Sequence, residues 1–280
     1  MSRLVDLARE LSDKAKKHLS GEGAGRIRPE DISIGITTFE ARFDRYFTPL
    51  LCRLREYVGN EIVVAVNGEN GKKFSEEYRK NVLKSAANQE NVFPILFPSF
   101  RGLSKLWNSI IIHASNDYIL MLNDDIMISR PDFMEKVCMT LSRNNGRSFQ
   151  INGSWSHFLI AREEIDELGY FDERLLGIGE EDGDIIWRYQ DRYGREVANF
   201  KIKGFENFAE ESTRTYTPIN IRTHSGTKYS LFNRKFILEE KYQESPEGLK
   251  GIFDKPVIIK NPSENQYPSE KFYRQRRNEL

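Results

Sequence analysis

Two acidic clusters have the residue types and spacing to do chemistry. The first interrupts an apolar run, DYILMLNDDIMI over residues 117–128, where Asn123, Asp124 and Asp125 replace what should be continued core. Adjacent carboxylates at a strand end bind a divalent cation, share a proton or cap the next turn. A cap needs only one acid, and the downstream SRPDF already offers Ser129 or Asp132 as a helix cap, with Pro131 in the first turn. Metal binding is therefore the favoured reading. Hard oxygen donors in a chain with 4 histidines suit Mg2+ or Mn2+ better than Zn2+. An ion held by one or two carboxylates completes its shell with water and substrate phosphates, so the pair implies a phosphorylated substrate. The second cluster, Glu180, Glu181, Asp182 and Asp184, opens the segment EEDGDIIWRYQDRYG, which reads as a helix with acids in its first turn and Gly194 after its last. A carboxylate there can accept the proton of an attacking hydroxyl. The helix dipole is expected to hold it ionised, although a plain N-terminal acid has the same pattern.

These clusters need a frame, and the sequence supplies one. DISIGITTF, EIVVAVNGE, NVFPILF and DYILMLN have strand signals, and FTPLLCRLREYVGN, SEEYRKNVLKSAANQ and LSKLWNSIIIHAS between them have helical ones. That alternation predicts an α/β fold with a mostly parallel, Rossmann-like sheet and helices on both faces. Ligands bind such sheets beyond the carboxyl ends of the strands, where Thr37 to Glu40, Asn67 and Asn123 to Asp125 all fall. After residue 148, SFQINGSWSHFLIA reads as two short strands, REEIDELGYF as a helix stopped by Gly169, and FILEEKYQ as helical. Residues 4–19 form an amphipathic pattern followed by a glycine-rich linker, SGEGAGR.

Lys and Arg number 42, and so do Asp and Glu, which leaves no basic surplus to hold nucleic acid. Cys52 and Cys138 lack metal or redox spacing and are expected to be buried free thiols. No segment has the ~20 apolar residues of a membrane span and the N-terminus lacks a signal-peptide core, so a cytoplasmic location is expected. The basic, aromatic EKFYRQRRNEL at the end offers at most a peripheral membrane contact.

In order, ISIGITTFEAR, EIVVAVNGE, FRGLSKLWNSII, DYILMLNDDIMI and GYFDERLLGIGEEDGDIIWR resemble the family 2 glycosyltransferases of the GT-A fold, over about residues 31–235. The resemblance implies a nucleotide-binding half (31–129) and a smaller acceptor half (130–235), flanked by an N-terminal helix and linker (1–28) and a C-terminal helix and tail (236–280). It implies that Thr37, Phe39 and Glu40 line the base pocket and that Asn67, Arg101 and Asn108 lie near the nucleotide. Asn67 departs from the Asp that many members carry there. Asn123 to Asp125 match the D-x-D element, with Asp125 as metal ligand and Asp124 on the ribose or the metal. His224 matches a late histidine that reaches the metal or diphosphate, while Lys228 and Arg234 could neutralise the diphosphate. The E-D pair maps onto Glu181 and Asp182, with Asp182 first choice as base and Glu181 second. Trp155 and His157 precede the acceptor side, where an aromatic can stack on a sugar, although a buried tryptophan holding the second subdomain is the favoured reading.

The expected activity is metal-dependent, inverting, hexosyltransferase-like transfer from a nucleoside-diphosphate sugar to a saccharide or glycoconjugate hydroxyl. A UDP-sugar is the first choice of donor and Mn2+ or Mg2+ the cofactor. A sugar-phosphate nucleotidyltransferase would open with a glycine-rich loop, and TTFEARFD has none. A non-catalytic scaffold on the same fold would lose the metal acid or the base, and both Asp125 and Asp182 are present.

Overall fold

Residues 32–38 of β1 (Ile32–Phe39) are all buried, isoleucines on one side and Ser33, Gly35 and Thr37 on the other. A strand covered on both faces needs a layer above and a layer below. The computed structural model, which describes residues 27–68, 74–207 and 228–241, has both. β1 lies between β2 (Ile62–Asn67) and β4 (Tyr118–Asn123), with β3 (Val92–Leu96) beyond β2, and these pairings are parallel. Past β4 the 7-stranded sheet continues through β7 (Ser154–Ala161), β6 (Phe149–Ile151) and β8 (Ala198–Phe200). Only β7 is reversed, pairing antiparallel with β4 and β6, while β8 is parallel to β6. The expected mostly parallel α/β sheet is thus observed. The anticipated boundary near residue 130 falls inside one continuous sheet.

Three helices cover one face: α1 (Thr48–Tyr57), α2 (Glu76–Ala87) and α4 (Phe133–Arg143), through residues such as Leu54, Val82 and Val137. The opposite face is covered by α3 (Leu103–His113), α5 (Arg162–Leu168) and α6 (Glu181–Tyr193), through Ile110, Ile165 and Ile185. α3 presses close to the sheet at Gly35, where a side chain would run into Ile110 and Met121. One helical turn, Glu40–Arg42, and a π-helical turn, Phe43–Phe47, lead from β1 straight into α1. A separate ribbon of β5 (Ile126–Ile128) and β9 (Phe205–Asn207) starts directly after the Asp124–Asp125 turn.

The helix expected from residue 236 begins earlier, as α7 (Lys228–Lys235), and continues as a π-helical segment, Phe236–Lys241. Phe236, Ile237 and Leu238 are buried, so the expected break after 235 lies within a docked helical stretch. Cys138 is buried as expected, but Cys52 is exposed on the outer side of α1. The SRPDF cap also differs: Asp132 is at the N-cap of α4, but its carboxylate meets Arg130 and Lys136, and the Ser129 hydroxyl bonds Glu206. Pro131 precedes the cap. The N-terminal pattern of residues 4–19, its linker, His224 and the tail after 241 lie outside the described residues.

Candidate functional site

Parallel register brings the strand ends together. Thr37 is beside Asn123, and Phe39 is beside Asn67. Glu40 is exposed one residue beyond. Asn67, expected near the base, is 4% exposed and braces a loop: its amide donates to the Arg101 carbonyl at 2.9 Å and accepts from the Arg101 N–H at 2.8 Å. Arg101 is thereby held at the same rim with its side chain exposed. Asn108 does not reach the rim. It is fully buried, donating to the Phe171 carbonyl at 2.8 Å and accepting from the Phe171 N–H at 3.0 Å, so it ties α3 to the acidic half of the molecule.

Asp124 and Asp125 form the turn that ends β4. One Asp124 oxygen accepts the Thr38 hydroxyl at 2.8 Å. The other is 2.6 Å from Nη2 of Arg42, and the same nitrogen is 2.6 Å from Asp125. The guanidinium is also flanked by the Phe39 ring at 5.6 Å and the Tyr46 ring at 5.2 Å. Burial pushes the Asp124 carboxyl up to about 7, against the pull of Arg42. Asp125 is more open, with 26% of its side chain exposed. His157, on β7, is buried with neither ring nitrogen hydrogen-bonded and is stacked on Phe205. Burial lowers it to about 4, and the charge of Asp125 works in the opposite direction.

The second acidic cluster forms one wall of a cavity of about 620 Å3. Glu180, Glu181 and Asp182 line it together with Asn123, Trp155 and Arg234. The loop into α6 is wound left-handed at Gly179 (φ 127°) and at Glu180 (φ 73°), a conformation unusual for a glutamate. That winding delivers Glu181 and Asp182 to the first turn of α6 at the cavity wall. Glu181 is 5% exposed, and its carboxylate accepts the Gly179 N–H at 2.6 Å. Asp182 is less enclosed, and its carboxylate accepts the N–H of Gly183 at 2.9 Å. Burial raises both carboxyls above the ordinary carboxylate range. Burial works against the helix dipole at both acids, because desolvation penalises the charged form.

This loop is held from a distance. Asn233 of α7 donates to the carbonyls of Leu176 and Gly179 and accepts the Leu176 N–H. Arg234 pairs with Glu180 at 2.7 Å. The Lys241 ammonium is 2.7 Å from Asp172 and 2.9 Å from Asp184, both fully buried, and these acids also meet Arg174 and Arg188. Sequence reasoning missed Arg42, Asn233 and Lys241. Arg42 had a weak signal, a base just past a strand end on the binding rim. The other two have no local signal, since their partners are more than 50 residues away. Trp155 lines the cavity and is also packed on Phe158 at 4.6 Å.

Among the described residues no three His, Cys, Asp or Glu side chains are grouped to enclose a metal by themselves. The donor chemistry at Asp124 and Asp125 nonetheless fits an ion of the magnesium type, which needs few carboxylates and takes the rest of its shell from water and phosphate.

No protein-family model and no curated protein matches the chain. Solved structures do match it. TarS of S. aureus in complex with UDP is 14% identical, over 61% of this chain and 60% of that one, with a TM-score of 0.46. Mannosyltransferase PcManGT from Pyrobaculum calidifontis, in complex with GDP-Man and Mn2+, is 12% identical over 67% and 60%, with a TM-score of 0.48. Glucosyl-3-phosphoglycerate synthase from Mycobacterium tuberculosis, in complex with Mn2+, UDP and glucosyl-3-phosphoglycerate, is 14% identical over 69% and 75%, with a TM-score of 0.49. The match spans 59% of TarS 1-349 and 47% of the longer TarS chain.

Proposed function

We propose that this protein is a GT-A-type, metal-dependent inverting glycosyltransferase that moves a sugar from a nucleoside diphosphate to an acceptor hydroxyl. A UDP-sugar is the first donor to test, with a saccharide or glycoconjugate as acceptor. The observation that carries the reading is the cavity that Asn123, at the head of the acid turn, shares with Glu181 and Asp182 across the sheet edge. In this reading the acid turn binds the diphosphate and the α6 acids supply the proton acceptor, and the cavity of about 620 Å3 that they line together is large enough for a sugar.

In this reading Thr37, Phe39 and Arg101 border the nucleotide at the strand ends, and Asp125, with Asp124 behind it, would hold Mn2+ or Mg2+. A bound divalent cation supplies positive charge to the departing diphosphate. Asp182 takes the proton of the acceptor hydroxyl as its oxygen bonds to the anomeric carbon, and the carbon–oxygen bond to the diphosphate breaks. Asp182 is the less enclosed of the two acids, whereas Glu181 is 5% exposed, and this favours Asp182 over Glu181 as the group that meets the acceptor. Asn67 and Asn108 support the site as loop ties.

The test is thermal unfolding against a panel of nucleoside diphosphates, each with and without Mn2+. A ligand at about 100 times its dissociation constant adds ~2.7 kcal/mol. A rise of several degrees that needs one nucleotide and the metal together is expected. No shift with any nucleotide, in folded protein, would favour a non-catalytic scaffold.

A further inference from the structure

Arg42 belongs to no part of the transfer reaction described above, yet it makes the closest contacts in the acid turn. A single nitrogen, Nη2, lies 2.6 Å from an oxygen of Asp124 and 2.6 Å from an oxygen of Asp125. The second oxygen of Asp124 is occupied by Thr38. A cation bridging the two carboxylate oxygens that face Arg42 would take the position that the guanidinium nitrogen holds. The side chain is 15% exposed and clasped by two aromatic rings, so this placement is built into the fold and is not a chance surface pair. His157, buried and unpaired close enough to feel the charge of Asp125, offers no competing positive charge, because burial keeps it neutral.

We propose that Arg42 is a resident counter-ion of Asp124 and Asp125 that a divalent cation must displace, so that the site resists metal until an anionic ligand draws the guanidinium away. The proposal rests on the transferase reading for the identity of the anion, a nucleoside diphosphate. A guanidinium released from two carboxylates keeps a planar fork of donors suited to phosphate oxygens. Metal and nucleotide binding are then coupled through one side chain, whose two sets of partners cannot be held together.

The first experiment contains no nucleotide. Mn2+ binding to wild type, Arg42→Met and Arg42→Lys is measured by electron paramagnetic resonance of free Mn2+, with Asp125→Ala as the control for binding elsewhere. Removing the competing cation is expected to tighten Mn2+ binding on the order of tenfold in Arg42→Met. Arg42→Lys, whose ammonium is a compact point charge, is expected to fall between the two and guards against misfolding of the methionine variant. Equal Mn2+ affinity in wild type and both variants overturns the proposal, as does a gain that persists in Arg42→Met combined with Asp125→Ala. If wild type still shows a nucleotide- and Mn2+-dependent thermal shift while the variants bind Mn2+ no tighter, only the counter-ion role fails. If no nucleotide shifts wild type while Arg42→Met does gain Mn2+ affinity, the transferase reading fails and the counter-ion role stands.

Discussion

Asp182 and Glu181 are neighbours in sequence with different surroundings. Glu181 is buried with its carboxylate on the Gly179 N–H, whereas Asp182 is less enclosed with its carboxylate on the Gly183 N–H. Asp182→Asn is expected to retain Mn2+-dependent nucleotide binding and to lower turnover by roughly 10²–10⁴-fold, the usual worth of a general base. Glu181→Gln is expected to retain far more turnover; the reverse result, from steady-state rates of both variants, would exchange the two roles. Because burial raises the proton affinity of Asp182, the base is ionised only above the ordinary carboxylate range near 4. The acidic limb of the pH–rate profile should therefore fall clearly above pH 4, and a limb at or below 4 would contradict a buried base. At this scale the sequence identified both acids. It did not reveal how deeply each is buried, since burial is a property of the packed molecule.

The elements that set the site are the left-handed loop into α6 and the α7 segment that braces it. Lys241 is 1% exposed between Asp172 and Asp184, both fully buried, and two arginines complete the cluster. Lys241→Met removes the charge but keeps much of the apolar stem. Breaking a buried ion pair from one side costs roughly 3–5 kcal/mol. The remaining arginines place this variant at the low end, a fall of several degrees in the melting midpoint. A midpoint within one degree of wild type would show that α7 is not coupled to the acidic loop. The helical patterns of α1, α2, α3 and α6 were legible because their apolar residues repeat at the helical period. The early start of α7 and its π-helical continuation were not, because that segment gains its stability from buried partners more than 50 residues away.

For the molecule as a whole, His157 links the sheet to pH. It is on the one reversed strand, buried, without hydrogen bonds, and lowered to about 4. A histidine held neutral by the fold supports stability above its ordinary value near 6.5, and that support is lost as pH falls through about 4. Wild type should lose stability on the order of 2 kcal/mol across this window from His157 alone. His157→Phe, which keeps a ring beside Phe205, should flatten that part of the pH dependence, measured as the denaturant midpoint at pH 7 and pH 4.5. Parallel slopes for the two proteins would assign the acid sensitivity to other groups.

The order of strands and helices, the parallel sheet with both faces covered and the gathering of Thr37, Asn67 and Asn123 at one rim could be read from the chain. Each follows from short-range apolar periodicity and from the general geometry of parallel sheets. Only the tertiary structure decided that Asn108 is buried against Phe171, that Arg42 bridges the two acids and that α7 clamps the loop carrying Glu181 and Asp182. Those outcomes depend on pairings such as Arg42 with Asp124, Asn108 with Phe171 and Lys241 with Asp172, in which the partners are far apart along the chain. Local pattern holds no information about such pairs, because the energy that selects them arises only once both partners have been taken out of water together.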